Sequence, residues 1–447
     1  MLPITTIVYL FLMFLCLLGS IFSSPIFGVI GYIGTYNINP GGQWWGIVVT
    51  WFYGLRYAMF MAIVTGLGII IHRPKLKFKR FFESQEILLI IFLAIIWLSN
   101  LMGISSRGES SLDILSLIKS GEFENNSIKM TKVVIIIMMA SHIVTDLRKY
   151  EAVIWTLIIS GFYLGLQSYL NPQWYGGRLE GWGAAGSDFS EANFLGAHYA
   201  ILLPFIGAMF MKGSWRSKII CLVSGIFVAN AFILGRSRGD FLAMLIGLIF
   251  AIIFSIPGIR RKIFFWVSIA IVGSLFLVDP MFKERMSTIE IEKSEMDGSS
   301  WGRMEIWKGS LSMALDNPLG VGEGNFKENI GRYIPYMGNR DTHNTLLRCF
   351  TELGVQGGFV LLLLIYNAFR ILFKLKGDIK DSPNKNDFLW HIYSLKIALI
   401  IFLVAGIFIT HTYIEEFYWL LMFPIFLKRS VENENDSLQN RHSKGEK

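Results

Sequence analysis

Charge is scarce in this chain. Asp, Glu, Lys and Arg make up 17% of its 447 residues, against about 25% in a soluble globular domain. Cysteine is scarcer still. Cys16, Cys221 and Cys349 form no spaced motif, so neither a disulfide framework nor a metal site follows from them. Also missing are HExxH, a G-x-S-x-G elbow and any clustered His/Asp/Glu ligand set, which leaves metallohydrolase and serine hydrolase chemistry without support. The glycine-rich "GVGEGNF" (320–326) has no Lys-Ser/Thr pair after it and does not sit between a strand and a helix. That argues against a nucleotide P-loop and leaves a flexible turn, or a backbone able to approach a sugar or phosphate closely.

What the chain does have is apolar sequence. Hydrophobic residues are 53% of the total, arranged in runs of about 20 that suit a polytopic all-α membrane protein. The candidate spans are 4–22, 46–71, 85–104, 131–147, 151–170, 193–211, 218–234, 240–257, 263–279, 353–373, 388–410 and 418–428. Residues 25–45, apolar but punctuated by Gly and Pro, form a thirteenth span or a re-entrant pair. The first segment lacks a basic n-region and an A-x-A-like site, so it reads as a retained span rather than a signal peptide.

The formal charge of +8 would suit a nucleic acid or the cytoplasmic loops of a membrane protein. The loops favour the second reading and no nucleic-acid partner. "HRPKLKFKR" (72–80) is the strongest cytoplasmic signal, and "DLRKY" (146–150), "KGSWRSK" (212–218), "GIRRK" (258–262), "KLKGDIKDSPNK" (374–385) and the tail from Lys428 fall on the same side. The organisation expected is a transmembrane bundle over 1–279, a large extracytoplasmic loop over 280–352, transmembrane helices over 353–428 and a disordered cytoplasmic tail over 429–447.

"LGRSRGDFLAM" (234–244) stands against this pattern. It puts Arg236, Arg238 and Asp240 in a tight outer turn between two apolar runs. Charge at membrane depth is a functional hypothesis by default. The structural alternatives are an Arg238–Asp240 pair, or arginines that snorkel to outer lipid phosphates.

In the large outer loop, Met304, Trp307, Leu311 and Ala314 fall on one helical stripe. Ser299 or Ser300 can cap that helix and "DNPLG" ends it. Arg303 then lies in the first turn, where a cation opposes the helix dipole and suggests an anionic partner; an ordinary solvated arginine is the plain alternative. Further on, Asp341 or Thr342 can cap a helix entering the next span. His343 would occupy its first turn, kept neutral by the dipole as a general base should be, or be a structural histidine. The outer loop "NPQWYGGRLEGWGAAGSDFSEANFLGAHY" (171–199) is rich in Trp, Tyr and Gly, which suits carbohydrate stacking or an interfacial belt equally.

Together, "GRSRGDFLAMLIGL", "GRMEIWKGSLSMALDNPLGVGEGNF" and "HNTLLRCFTELGVQGG" resemble the O-antigen ligase and polymerase superfamily. The match is to its S-R-G turn, its R-x-x-x-W helix with a P-x-G-x-G turn, and its H-N-x-x-L helix. "SPIFGVIGYIGTYNINP" looks like the exosortase-associated O-glycosylation ligase branch. The resemblance implies a GT-C-type glycosyltransferase of the bacterial inner membrane, working on its outer face without a metal or other cofactor. It implies a glycan donor on undecaprenyl diphosphate and an acceptor hydroxyl on a lipid, glycan or protein. By position it assigns Arg238 and Arg303 to the diphosphate and His343 to general base. Arg236 is a further diphosphate candidate, and Asn344, Arg348, Asn193 and Arg178 are candidates for substrate contact. Ligase and polymerase share these motifs. A lipid-linked glycan or solute transporter and a non-catalytic assembly subunit are the readings from other classes.

Overall fold

The computed structural model describes residues 4–43, 45–46, 57–73, 82–106, 126–181, 187–255, 258, 260–287 and 298–443. Part of the expected span 46–71, most of the basic run 72–80, most of the outer loop 105–130, and residues 182–186 and 288–297 lie outside these. Within them the fold is all-helical apart from one short hairpin. The apolar runs become helices, several of which open at a side chain that accepts a backbone N–H of the first turn. Asp146 caps Lys149 N (3.0 Å), Ser214 caps Ser217 N (3.4 Å), Ser237 caps Asp240 N (3.4 Å) and Asn344 caps Leu347 N (3.0 Å).

Helices α1 (Ile4–Phe22) and α2 (Ile26–Ile38) form an antiparallel hairpin, and α3 (Tyr57–His72) packs back along α2. Gly28 lets Ser20 and Thr65 approach, and His72 Nε2 lies 3.0 Å from the Ile21 carbonyl. The α1–α2 turn and the His72 end of α3 therefore share one end of the bundle. The ambiguous segment 25–45 resolves into α2, bounded by Pro25 and by Asn39 in a left-handed conformation, with a short 3-10 turn at Pro40–Gly42.

Next come α4 (Ser84–Ser106), α5 (Asn126–Ile143), α6 (Leu147–Leu170), α7 (Ala192–Lys212), α8 (Trp215–Leu234), α9 (Arg238–Ile253) and α10 (Arg260–Leu275). The short α11 (Pro280–Ser287) follows, then α12 (Gly298–Asp316), α13 (Phe326–Tyr333), α14 (Thr345–Asp378), α15 (Lys385–Ala405) and α16 (Glu415–Ser443). Eight of the described helices are long and apolar enough to cross a membrane, or nine if α10 and α11, bent by 105°, count as one span. The expected count of twelve or thirteen is therefore not reached by length and composition. Several expected spans, α2 and α3 among them, are helices too short for that test.

The expected disordered tail is also corrected, because α16 runs unbroken to Ser443. Its polar side chains dock on the ends of neighbouring helices. Asn433 donates to the Thr145 carbonyl (2.8 Å), Asn435 to that of Asp378 (3.1 Å), and Glu434 accepts from Ser382 (2.8 Å).

One continuous apolar core runs through the bundle, with Tyr150, Tyr199, Phe205, Phe402 and Tyr418 wholly buried. Helices α12 and α13 have a second, small core of Ile306, Met313, Phe326, Ile330, Ile334 and Met337. It buries the face of α12 opposite to the stripe expected from sequence: Met304 and Leu311 are exposed while Ile306 and Met313 are not.

Candidate functional site

The site is built at the bundle end where α6, α8 and α15 finish and α7, α9, α14 and α16 begin. A two-residue hairpin turn at Gly176 and Gly177, both at positive φ (55° and 72°), pairs β1 (Gln173–Tyr175) with β2 (Arg178–Glu180). Glycines at both central positions supply the twist that such a turn requires. The hairpin presents Arg178, whose Nε donates to the Gly235 carbonyl at 3.1 Å and whose Nη2 donates to Asn193 Oδ1. Asn193, in the first turn of α7, thus orients Arg178. Burial, and then the nearby Arg285 guanidinium, push Arg178 down to about 10.

The two arginines of the S-R-G turn have different surroundings. Arg236 has a left-handed backbone (φ 46°) and a buried side chain. Its guanidinium donates to the Gly177 carbonyl and to Asp279, and lies 5.0 Å from the Trp174 ring centroid. It fastens the hairpin to the start of α11. Arg238 is the first residue of α9 and is half-buried. Asp240 is fully buried against Gly196, where a Cβ would meet its carboxylate at 2.4 Å. Neither carboxylate oxygen of Asp240 has a hydrogen-bond partner, so the Arg238–Asp240 pair considered from sequence does not form; Arg178 and Arg303 act on Asp240 across space.

Arg303 reaches the same place from α12. It acts electrostatically on Asp240, on Arg178 and on His343. Because α12 already includes Gly298, Ser299 and Ser300 are helical and Arg303 lies in the second turn. The first-turn dipole argument therefore does not apply to it. What marks Arg303 is that it and Arg178 both act, across space, on one buried carboxylate.

His343 corrects a second local expectation. The cap of α14 is Asn344, so His343 precedes the helix, half-buried and at φ 45°. Neither Asp341 nor Thr342 is spare for capping. The Thr342 hydroxyl accepts from Asn344 N and donates to its carbonyl (both 3.0 Å), and Asp341 Oδ1 accepts from Arg348 (3.0 Å) and Thr410 (3.1 Å). Trp307, one helical turn beyond Arg303, donates its indole N–H to the Thr342 carbonyl at 3.0 Å. Burial lowers the His343 pKa below the usual imidazole value; Asp341 opposes that shift and Arg303 adds to it. The ring is therefore neutral at pH 7, by burial rather than by a helix dipole. For Asp341, burial works against ionisation, but the Arg348 guanidinium and His343 hold its pKa below the usual carboxylate range.

Two further candidates face protein groups. Asn344 spends its side-chain oxygen on the cap. Arg348 is buried between Asp341 (3.0 Å) and Glu352 (2.8 Å), 5.0 Å from the Phe326 ring centroid. The glycine-rich turn is not loose. Gly320, Gly322 and Gly324 have φ of 92°, 98° and 80°. Val321 N and Gly322 N donate to the carbonyls of Thr351 (2.8 Å) and Glu352 (3.2 Å), and Val355 N donates to Pro318 (2.9 Å). This turn clasps α14 at its kink, Gly354 (φ 72°).

Sequence reasoning missed Arg285, on α11, and the bracing role of Trp307. "MFKERMS" carries no motif, and only the fold at Phe241–Phe282 and Arg236–Asp279 brings α11 over the site. Among the described residues no group of three or more His, Cys, Asp or Glu side chains could hold a metal ion. No curated protein matches the chain. Residues 223–362, which carry Arg238, Arg303 and His343, match the O-antigen ligase family model, which supports a membrane enzyme of the O-antigen ligase or polymerase type.

Proposed function

We propose that this protein is a membrane glycosyltransferase of GT-C architecture. It moves a glycan from an undecaprenyl-diphosphate-type lipid donor to an acceptor hydroxyl on the extracytoplasmic face of the inner membrane. The observation that carries the reading is the buried Asp240 carboxylate, which has no hydrogen-bond partner and feels Arg178 and Arg303 across space, with Arg303 also acting on a half-buried, neutral His343. Arg178, Arg285 and Arg303 are near enough to act on one another, and three cations brought together favour an anion of more than one charge. A diphosphate supplies it, and guanidinium forks match phosphate oxygens bidentately.

In the reaction, the acceptor oxygen attacks the anomeric carbon from the face opposite the diphosphate, with inversion. The acceptor proton passes to His343 as the new C–O bond forms. The bond between the anomeric carbon and the diphosphate oxygen breaks, and its electron pair leaves with the lipid diphosphate. Arg238 and Arg303 bind that developing charge, with Arg178, oriented by Asn193, and Arg285 beside them. Losing one such contact costs about 10²-fold in rate, and losing a general base costs about 10² to 10⁴-fold. Arg236, Asn344 and Arg348 organise the site without contacting the diphosphate.

The test is to supply purified protein with a lipid-diphosphate glycan donor and, in separate reactions, a truncated lipid-A core or a second donor as acceptor. Glycosylation of the first identifies a ligase and elongation of the second a polymerase. Glycosylation of neither, with protein competent to bind donor, removes the reading.

A further inference from the structure

At the opposite end of the bundle a lysine sits where a membrane helix rarely places one. Lys396, in the middle of α15, is 6% exposed. Its ammonium lies 3.9 Å from the ring centroid of Phe373 on α14 and 5.7 Å from that of Phe254 at the end of α9. The two rings meet edge to face at 5.9 Å, so they form a box open along one side. Tyr393, one turn earlier, ties α15 to α9 by donating to the Ala251 carbonyl at 2.8 Å. Lys396 therefore sits where α15 packs on α9, with Phe373 of α14 over its ammonium.

Two more cations lie on the neighbouring elements. Lys376, one turn beyond Phe373, is exposed and near enough to act on Lys396. Arg260 opens α10 and reaches back toward α9, donating to Ser255 Oγ (2.8 Å) and the Ile252 carbonyl (3.3 Å). Among the described residues, no carboxylate forms an ion pair with Lys396, Lys376 or Arg260. A desolvated ammonium without a counter-anion is costly, and two phenyl faces offset only part of that cost. The surface around them is apolar, with Ile249 56%, Ile253 54% and Phe373 53% exposed.

We propose that Lys396, Lys376 and Arg260 bind the phosphate headgroup of an anionic glycerophospholipid, whose acyl chains lie along Ile249, Ile253 and Phe373. The basic loops gathered at this end make it the cytoplasmic leaflet, where anionic lipid attracts juxtamembrane cations. The site is separate from the glycan site, since Phe254 and Phe373 lie near the ends of α9 and α14 that are remote from it.

The experiment uses the full chain in detergent and in nanodiscs. Melting is followed while phosphatidylglycerol, phosphatidylcholine or inorganic phosphate is added, and native mass spectrometry counts retained lipid. The expected result is saturable stabilisation by phosphatidylglycerol alone, with one lipid retained. Lys396→Met should bind that lipid about fivefold more weakly, matching the worth of one lysine near an anionic surface. Lys376→Ser, at an exposed position, should weaken it similarly without disturbing the fold. Wild-type protein that melts alike in both lipids overturns the proposal, as does a Lys396→Met protein that keeps the full phosphatidylglycerol effect. Equal protection by inorganic phosphate overturns the assignment to a lipid.

Discussion

The indole N–H of Trp307 donates to the carbonyl of Thr342 at 3.0 Å. Through that bond α12, which carries Arg303, fixes the backbone immediately before His343. The cation and the base come from segments 40 residues apart in sequence, and this contact sets their spacing. Trp307→Phe keeps the ring and removes only the donor. The expected outcome is a fall of about tenfold in turnover with KM little changed, since the bond contributes about 1 kcal/mol and misplacement adds to the loss. Steady-state kinetics beside a melting curve checks it, and an unchanged rate would refute the coupling.

His343 sets the acid side of the pH profile. Burial lowers its pKa beneath the ordinary imidazole value of 6.5, so the neutral base persists through pH 7 and is lost only at more acidic pH. Turnover should be flat near neutrality and fall in acid, and His343→Ala should abolish that limb. The sign for stability is the same. An imidazole whose pKa is depressed by folding contributes stability that is present above 6.5 and lost as pH falls through its folded value, because the unfolded chain binds the proton more readily.

Arg236 and Arg238 should behave differently, although they stand two residues apart. Arg236→Ala removes the contacts to Gly177, Asp279 and Trp174, and charge-assisted bonds of this kind are worth about 1.5–3 kcal/mol each. The melting temperature should drop by several degrees. Arg238→Ala should cost about 10²-fold in rate. The reverse pattern, read from paired melting and turnover measurements, would mean that the roles are exchanged.

These two arginines also show how far the sequence could be read. The S-R-G turn, the Arg303 helix and His343 were legible because they break the local pattern of charge. The hold of Asp279 on Arg236 was not, since the two lie 43 residues apart and meet only in the fold. The cap of α14 was misread for a similar reason: Asp341 could cap a helix, but Arg348 and Thr410 claim its carboxylate. The buried face of α12 was misread because Met304 and Leu311 share a stripe that the small outer core leaves uncovered. The ordered tail escaped notice because its polar residues dock on helix ends, a contact without a hydrophobic period.

The clasp between the glycine-rich turn and the α14 kink should be intolerant of a side chain. A Cβ at Gly354 would meet the Leu319 carbonyl carbon at 2.4 Å, and the backbone there has φ 72°. Gly354→Ala should destabilise the protein by more than about 2 kcal/mol, read as lost expression or a lower melting temperature. Wild-type stability would show that the kink yields easily.

The central claim is that the glycan–diphosphate bond is broken here, with Arg238 and Arg303 at the leaving group and His343 at the acceptor. The most direct measurement is single-turnover reaction of purified protein with a donor labelled in both lipid and glycan. The account predicts free lipid diphosphate and an equal amount of glycan on the acceptor, both suppressed at least about 10²-fold in Arg303→Ala and His343→Ala. A donor that is bound, or moved between leaflets, with its glycan–diphosphate bond intact would contradict it and indicate a transporter.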